Sequence, residues 1–141
     1  MMKPLLIVSI AVLLGSFAFS GCDMLADKHS VESTVTDFHQ KLDSGDFDAI
    51  YATTDDDFKA AGPKSDLFAL LAAVHKKLGK IQSTSETNFS MNSVNLVTKV
   101  TLVYDTKFDG GNATETFIYR SSGNKQLLDG YNVNSLAMME K

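Results

Sequence analysis

The sequence predicts an α+β fold in which N-terminal helices pack on a curved antiparallel sheet of about four strands, with an apolar leader in front. Three features carry that reading. Apolar residues recur at helical spacing between Val31 and Leu78, a period of two replaces it after Lys80, and residues 4–20 form an almost unbroken apolar run. Helices first and a strand meander afterwards put the helices on one face of the sheet.

The leader has a single early charge, Lys3, then an apolar stretch running from Leu5 to Phe19, then the small residues Ser20 and Gly21. This is the layout of a secretion signal, whereas a spanning helix needs about 20 apolar residues and a charged stop. Phe19, Ser20, Gly21 and Cys22 resemble the lipobox of bacterial lipoproteins, with Phe19 where leucine is usual. The resemblance implies that residues 1–21 are a lipoprotein signal peptide and that Cys22 becomes lipid-modified, holding the protein on a membrane of the bacterial cell envelope. Asp23 resembles the signal that retains such proteins in the inner membrane, facing the periplasm. An outer-membrane position is the alternative. Cys22 is the only cysteine of the 141 residues, so no disulfide forms within the chain. Two or three acyl chains anchor stably where one binds marginally, each buried methylene adding about 0.8 kcal/mol.

Loss of residues 1–21 leaves 120 residues, the size of one domain, and removes only Lys3 among the charges. Twelve Lys and Arg then oppose 17 Asp and Glu, a net charge of −5. Such a balance lacks the basic footprint of a nucleic-acid binder. Residues 22–29 read as a polar tether, in which the seven residues after Cys22 extend at most about 25 Å. The folded domain is expected over residues 30–136, with 137–141 as a fraying tail.

Within that domain, Val31, Val35, Phe38 and Leu42 line one helix face, with Ser30 as its N-cap and Gly45 as its stop. Asp46 can cap a short helix carrying Phe47, Ile50 and Tyr51. Thr54 can cap another, in which Asp55, Asp56 and Asp57 sit at the positive end of the dipole and Phe58 and Ala61 face inward. Ser65 can cap the next helix, whose apolar set is Leu67, Leu70, Leu71, Val74 and Leu78, and Gly79 ends it.

The strand region opens with the Ser/Thr/Asn-rich residues 81–93, an expected edge strand. Val94, Leu96, Val100, Leu102, Tyr104 and Phe108 share parity and read as the buried face of one long strand, opposite Asn95, Lys99, Thr101, Asp105 and Lys107. Residues 109–112 make a hairpin turn, 114–120 a further strand and 121–124 another turn. The last strand returns over 126–134 with Leu127, Tyr131 and Val133 on one face.

Several stretches, Gly45 to Tyr51, the leucine-rich helix ending Lys77-Leu78-Gly79-Lys80, Thr114 to Phe117 and Gly130 to Asn134, resemble a family of uncharacterised bacterial lipoproteins and exported proteins. Those domains are similar to the cystatin-like, nuclear transport factor-like α+β cone that ketosteroid isomerase also uses. The resemblance covers roughly residues 31–136 and implies a fold; it brings no catalytic positions.

A cone of that kind often encloses a cavity between sheet and helices. Tyr51, Phe58, Phe68, Tyr104, Phe117, Tyr119 and Tyr131 are the candidate lining residues, against the alternative that they fill the core. Asp129, in phase with Leu127 and Tyr131, is the one acidic candidate for the same interior, against the alternative of a strand-edge or turn aspartate. His29, His39 and His75 are too dispersed to share a ligand and read as solvated or capping residues. Asp55, Asp56 and Asp57 lack the alternation of a calcium loop, so neither a metal nor another cofactor is expected. Arg120, the lone arginine, suits a strand-end salt bridge or a carboxylate ligand.

No convergent catalytic set is visible. The leading expectation is therefore a non-enzymatic binding or interaction module anchored to the membrane, with an envelope protein or a small apolar ligand as partner. A small apolar-ligand carrier or a cavity enzyme of the ketosteroid isomerase-like type is the alternative. A homodimer through the exposed sheet face would use Val97, Val103 and Ile118.

Overall fold

The computed structural model describes residues 21–122 and 124–140, with side chains described from Asp27 onward except that of Ser122. Residues 1–20, which hold most of the expected signal peptide, lie outside the described residues. The element order is α1 (Gly21–Ser44), α2 (Phe47–Ala52), α3 (Asp56–Ala61), α4 (Lys64–Leu78), β1 (Ile81–Val94), β2 (Val97–Phe108), β3 (Gly111–Ser122), β4 (Lys125–Asn134) and α5 (Leu136–Met139). The strands form one antiparallel sheet in the order β1-β2-β3-β4, with α1 packed on it.

The apolar stripe of α1 is buried as its spacing predicts: Val31, Val35, Phe38 and Leu42 meet the sheet together with Leu67, Leu71, Val74 and Leu78 of α4. Ser30, expected as the N-cap, instead lies inside α1, where its carbonyl accepts from the Ser33 and Thr34 hydroxyls. The helix continues back to Gly21, so residues 23–29, read as an extended tether, span only about 10 Å at the helical rise. At the other end Gly45, with φ +74°, closes α1: its N–H donates to Leu42 and that of Asp46 to Lys41, as in a Schellman motif.

Asp46 caps α2 as expected, accepting from the Ala49 N–H at 3.1 Å. The cap of α3 is Asp55 rather than Thr54, its Oδ1 accepting from the Phe58 N–H at 2.7 Å. Thr54 is drawn instead into a parallel bridge with Leu128 of β4, which buries it. Ala61, expected to face inward, is exposed because α3 lies across the sheet edge and buries no side chain fully. Pro63, not Ser65, occupies the cap of α4, where its fixed extended backbone serves without a side-chain bond.

The long strand expected from Val94 to Phe108 is broken at Asn95 and Leu96. Both take left-handed backbone, φ +51° and +65°, the pattern of a type I′ hairpin turn. Val94 and Leu96 therefore stand exposed, while Val100, Leu102, Tyr104 and Phe108 are buried as their parity predicts. In β4 a bulge intervenes. Ile118 pairs with Gly130 and Tyr119 with Leu128, which leaves Asp129 as the extra residue. The bulge switches parity, so Leu128 rather than Leu127 reaches the core.

The β2–β3 turn docks on the C-terminal end of α4: Gly110 donates to the Leu78 carbonyl at 2.7 Å, and a Cβ at Gly110 would stand 2.5 Å from the Lys77 oxygen. Residues 137–139 of the expected tail are helical. Residues 136–139 form α5, Ala137 and Met138 pack on the core, and Lys77 Nζ donates to the Met138 and Glu140 carbonyls.

A leucine at φ +65° suffers the steric conflict between Cβ and carbonyl that glycine avoids, and Leu96 recovers nothing by burial. Leu96→Gly is therefore expected to raise stability by about 1 kcal/mol. Urea unfolding of the two proteins checks it through the midpoint at unchanged slope.

Candidate functional site

The interior holds a charge that the sequence reading passed over. Glu115 of β3 has no solvent exposure, yet its carboxylate receives three donors from three other elements. Thr106 Oγ1 of β2 donates to Oε2 at 2.6 Å, His39 Nε2 of α1 lies 2.7 Å from the same oxygen, and Tyr131 OH of β4 donates to Oε1 at 2.7 Å. Burial pushes the Glu115 carboxyl up, but the hydrogen bond and charge of His39, followed by the Thr106 and Tyr131 hydroxyls, outweigh it and leave it below its ordinary value. An ionised carboxylate requires a proton on the nitrogen facing it, so His39 Nε2 is a donor here. Burial, aided by the Glu115 charge, holds the Tyr131 phenol well above its ordinary range, so it too remains a donor.

Aromatic rings close this cluster off. Phe117, fully buried, meets Phe38 and Tyr131 with ring centroids 5.1 Å away, His39 at 5.6 Å and Tyr104 at 6.0 Å, and stacks on Tyr119 at 6.3 Å. Tyr104, Phe117 and Tyr119 thus fill the core instead of lining an open cavity. The other expected lining residues lie elsewhere. Tyr51 and Phe68 meet edge to face on the helical side, with Lys64 Nζ over both rings. Phe58, Asp129 and Tyr131 do come together, at a cleft of about 380 Å³ between α3, the start of α4 and β4, where Leu67 and Leu70 join them.

Asp129 does not face the interior, because the bulge turns it out of phase with Tyr131. It pairs with Lys99 at 2.6 Å and lies beside Asp55 and Asp57. Arg120 meets those two aspartates, its Nε 3.4 Å from Asp55 and its outer nitrogen 2.6 Å from Asp57. This is the strand-end salt bridge among the two roles open to Arg120. Three carboxylates converge there, and Arg120 and Lys99 already supply the positive charge that a bound cation would bring.

No known protein-family model matches the chain. No curated protein matches it significantly either.

His39, expected to be solvated or capping, is buried because it stands four residues after Val35 and one after Phe38, on the flank of the apolar stripe. Glu115 shares parity with Phe117 and Tyr119, and that parity in residues 114–120 was the available signal for an inward carboxylate. Val97, Val103 and Ile118, named for a homodimer, are half-buried on the outward side of β2 and β3. His29 is exposed and 3.4 Å from Glu32.

Glu115→Gln removes the buried charge and keeps the shape, leaving one amide oxygen for three donors, and is expected to destabilise the fold by about 2–3 kcal/mol at neutral pH. The lowered carboxyl also sets a pH dependence. In the unfolded chain this group takes up a proton near its ordinary 4.5, while in the folded chain it stays ionised further down. Its contribution is complete above that value and is lost as pH falls through the lowered one. The stability gap between the parent and Glu115→Gln should narrow as pH is taken from about 6 to about 3, which denaturant unfolding at each pH measures.

Proposed function

We propose that the protein is a lipid-anchored cell-envelope lipoprotein whose α+β domain, of the cystatin-like cone kind, is a non-enzymatic binding or interaction module at the membrane surface. The observation that carries the reading is Cys22, the lone cysteine, placed directly after a short apolar run and two small residues and joined to the domain by α1. Among the described residues no helix is long and apolar enough to cross a membrane, so attachment in this reading rests on the acyl chains. Asp23 favours the inner membrane, facing the periplasm.

The non-enzymatic part rests on the interior. A general acid or base must reach the proton it moves. Glu115, His39 and Thr106 are buried and bonded to one another and to the Tyr131 hydroxyl behind aromatic rings, so the working surface is outside the core. Binding to an envelope protein or to a second copy of the chain would use that surface.

In a bacterium, the full chain should carry labelled fatty acid and sediment with membranes, and Cys22→Ser should lose the label and its detergent-sensitive sedimentation. A parent chain released soluble, with an unmodified Cys22, would sink the reading.

One observation supports a second reading as a small apolar-ligand carrier. The cleft lined by Phe58, Leu67, Leu70 and Tyr131, with Asp129 at its rim, falls in the size range of ligand pockets. Saturable quenching of tyrosine emission by an apolar dye, weakened several-fold by Leu70→Asp, is the expected result. An unchanged dye affinity in that variant counts against it.

A further inference from the structure

The two ends of the sheet differ in a way that bears on the anchor. Lys28, early in α1, donates to Glu86 of β1 at 2.9 Å and lies 5.2 Å over the Phe89 ring, while Asp43 near the end of α1 accepts from the Ile81 N–H at 3.2 Å. Helix α1 and strand β1 therefore run antiparallel. The N-terminal end of α1, with Cys22 in its first turn, points the same way as the β1–β2 hairpin tip. Beyond Lys28 the helix advances about 9 Å to Cys22, and beyond Phe89 the strand advances about 17 Å to Val94. The tip reaches at least as far as the anchoring residue.

That tip is unusual chemically. Residues 87–98 carry no charge in a chain where 21% of residues are charged. Val94 and Leu96 stand exposed at its end, Leu96 entirely, and Leu96 does so in left-handed backbone that disfavours it. Antiparallel order brings the β3–β4 turn to this end as well, and over residues 121–128 its single charge is Lys125, a positive one. The three carboxylates of the neighbouring ion-pair cluster, Asp55, Asp57 and Asp129, meet two cations, Arg120 and Lys99, so a single net negative charge remains there.

We propose that the β1–β2 hairpin tip is a second membrane contact, Val94 and Leu96 entering the interfacial layer of the same phospholipid bilayer that holds the acyl chains of Cys22. The inference rests on the anchoring reading. An acyl group alone leaves a domain free to tilt and swivel; an apolar tip on a paired hairpin, on the same end as a continuous helix, fixes which face looks away from the membrane. Lipid is the occupant that suits this surface: it needs no shaped groove, it accepts two aliphatic side chains flanked by Asn and Ser at headgroup depth, and an anionic headgroup suits Lys125. The cleft bounded by α3, α4 and β4 would then be presented in a defined direction.

The chain has no tryptophan, so Leu96→Trp introduces a single reporter. Leu136, exposed beyond β4 at the opposite end of the sheet, provides the control Leu136→Trp. Each full-length protein, with acylation of Cys22 verified by mass, is reconstituted into phosphatidylcholine–phosphatidylglycerol vesicles with and without brominated acyl chains. The expected result is a blue-shifted emission for Leu96→Trp that loses intensity with the brominated lipid, and a water-like, unquenched emission for Leu136→Trp. Water-like emission from Leu96→Trp in acylated, vesicle-bound protein would overturn the tip contact and leave the anchor standing. A blue shift that grows with protein density and is indifferent to brominated lipid would assign the tip to a second copy of the chain, and overturns the proposal equally. A chain found without acyl groups at Cys22 overturns the anchoring reading and the tip contact with it.

Discussion

The structure depends on a buried carboxylate. Glu115 sits at the centre of the sheet–helix interface with no exposure, and an ion in that position is tolerable only if donors reach it from fixed directions. They come from α1, β2 and β4, so one side chain of β3 ties together four elements that apolar packing would leave free to slide. Hydrophobic burial is without direction; these hydrogen bonds supply it. The aromatic rings of Phe38, Phe117 and Tyr131 perform the complementary task of excluding water, which strengthens each bond they surround.

The same constraint separates the molecule into an interior that is chemically closed and two ends with different characters. At one end Gly110 seats the β2–β3 turn against α4 and α5 is tied down by Lys77, so the chain is well stitched. At the other, the β1–β2 and β3–β4 turns lie together with almost no charge, none over residues 87–98 and Lys125 alone over 121–128. The bulge at Asp129 marks the transition: it shifts the inward alternation of β4 by one residue, sends its carboxylate to Lys99 and lets α3 lie against the sheet edge.

Much of the architecture was legible in the residues. The stripes Val31-Val35-Phe38-Leu42 and Leu67-Leu71-Val74-Leu78 declared their helices because a period of 3.6 has one physical meaning, and the alternation from Val100 to Phe108 declared a half-buried strand for the same reason. The misplaced features were those where a local preference competes with a distant contact. Thr54 can cap a helix, yet a bridge to Leu128 claims it and passes the cap to Asp55. Leu127 kept the alternation and Leu128 won the core, since a bulge is decided by the partner strand. His39 looked peripheral by type because the carboxylate that holds it is 76 residues away.

By itself, then, the sequence determined the order of helices and strands, the apolar faces that meet, and the position of a single cysteine after an apolar run, since each depends on neighbours along the chain. Only the tertiary structure decided that Glu115 is an interior charge with three donors, that the expected pocket residues divide among a filled core, a helical cluster and a cleft, and that the α1 terminus and the hairpin tip share one end. Those properties belong to pairs of residues far apart in sequence, and their energies exist only once the chain has closed the distance between them.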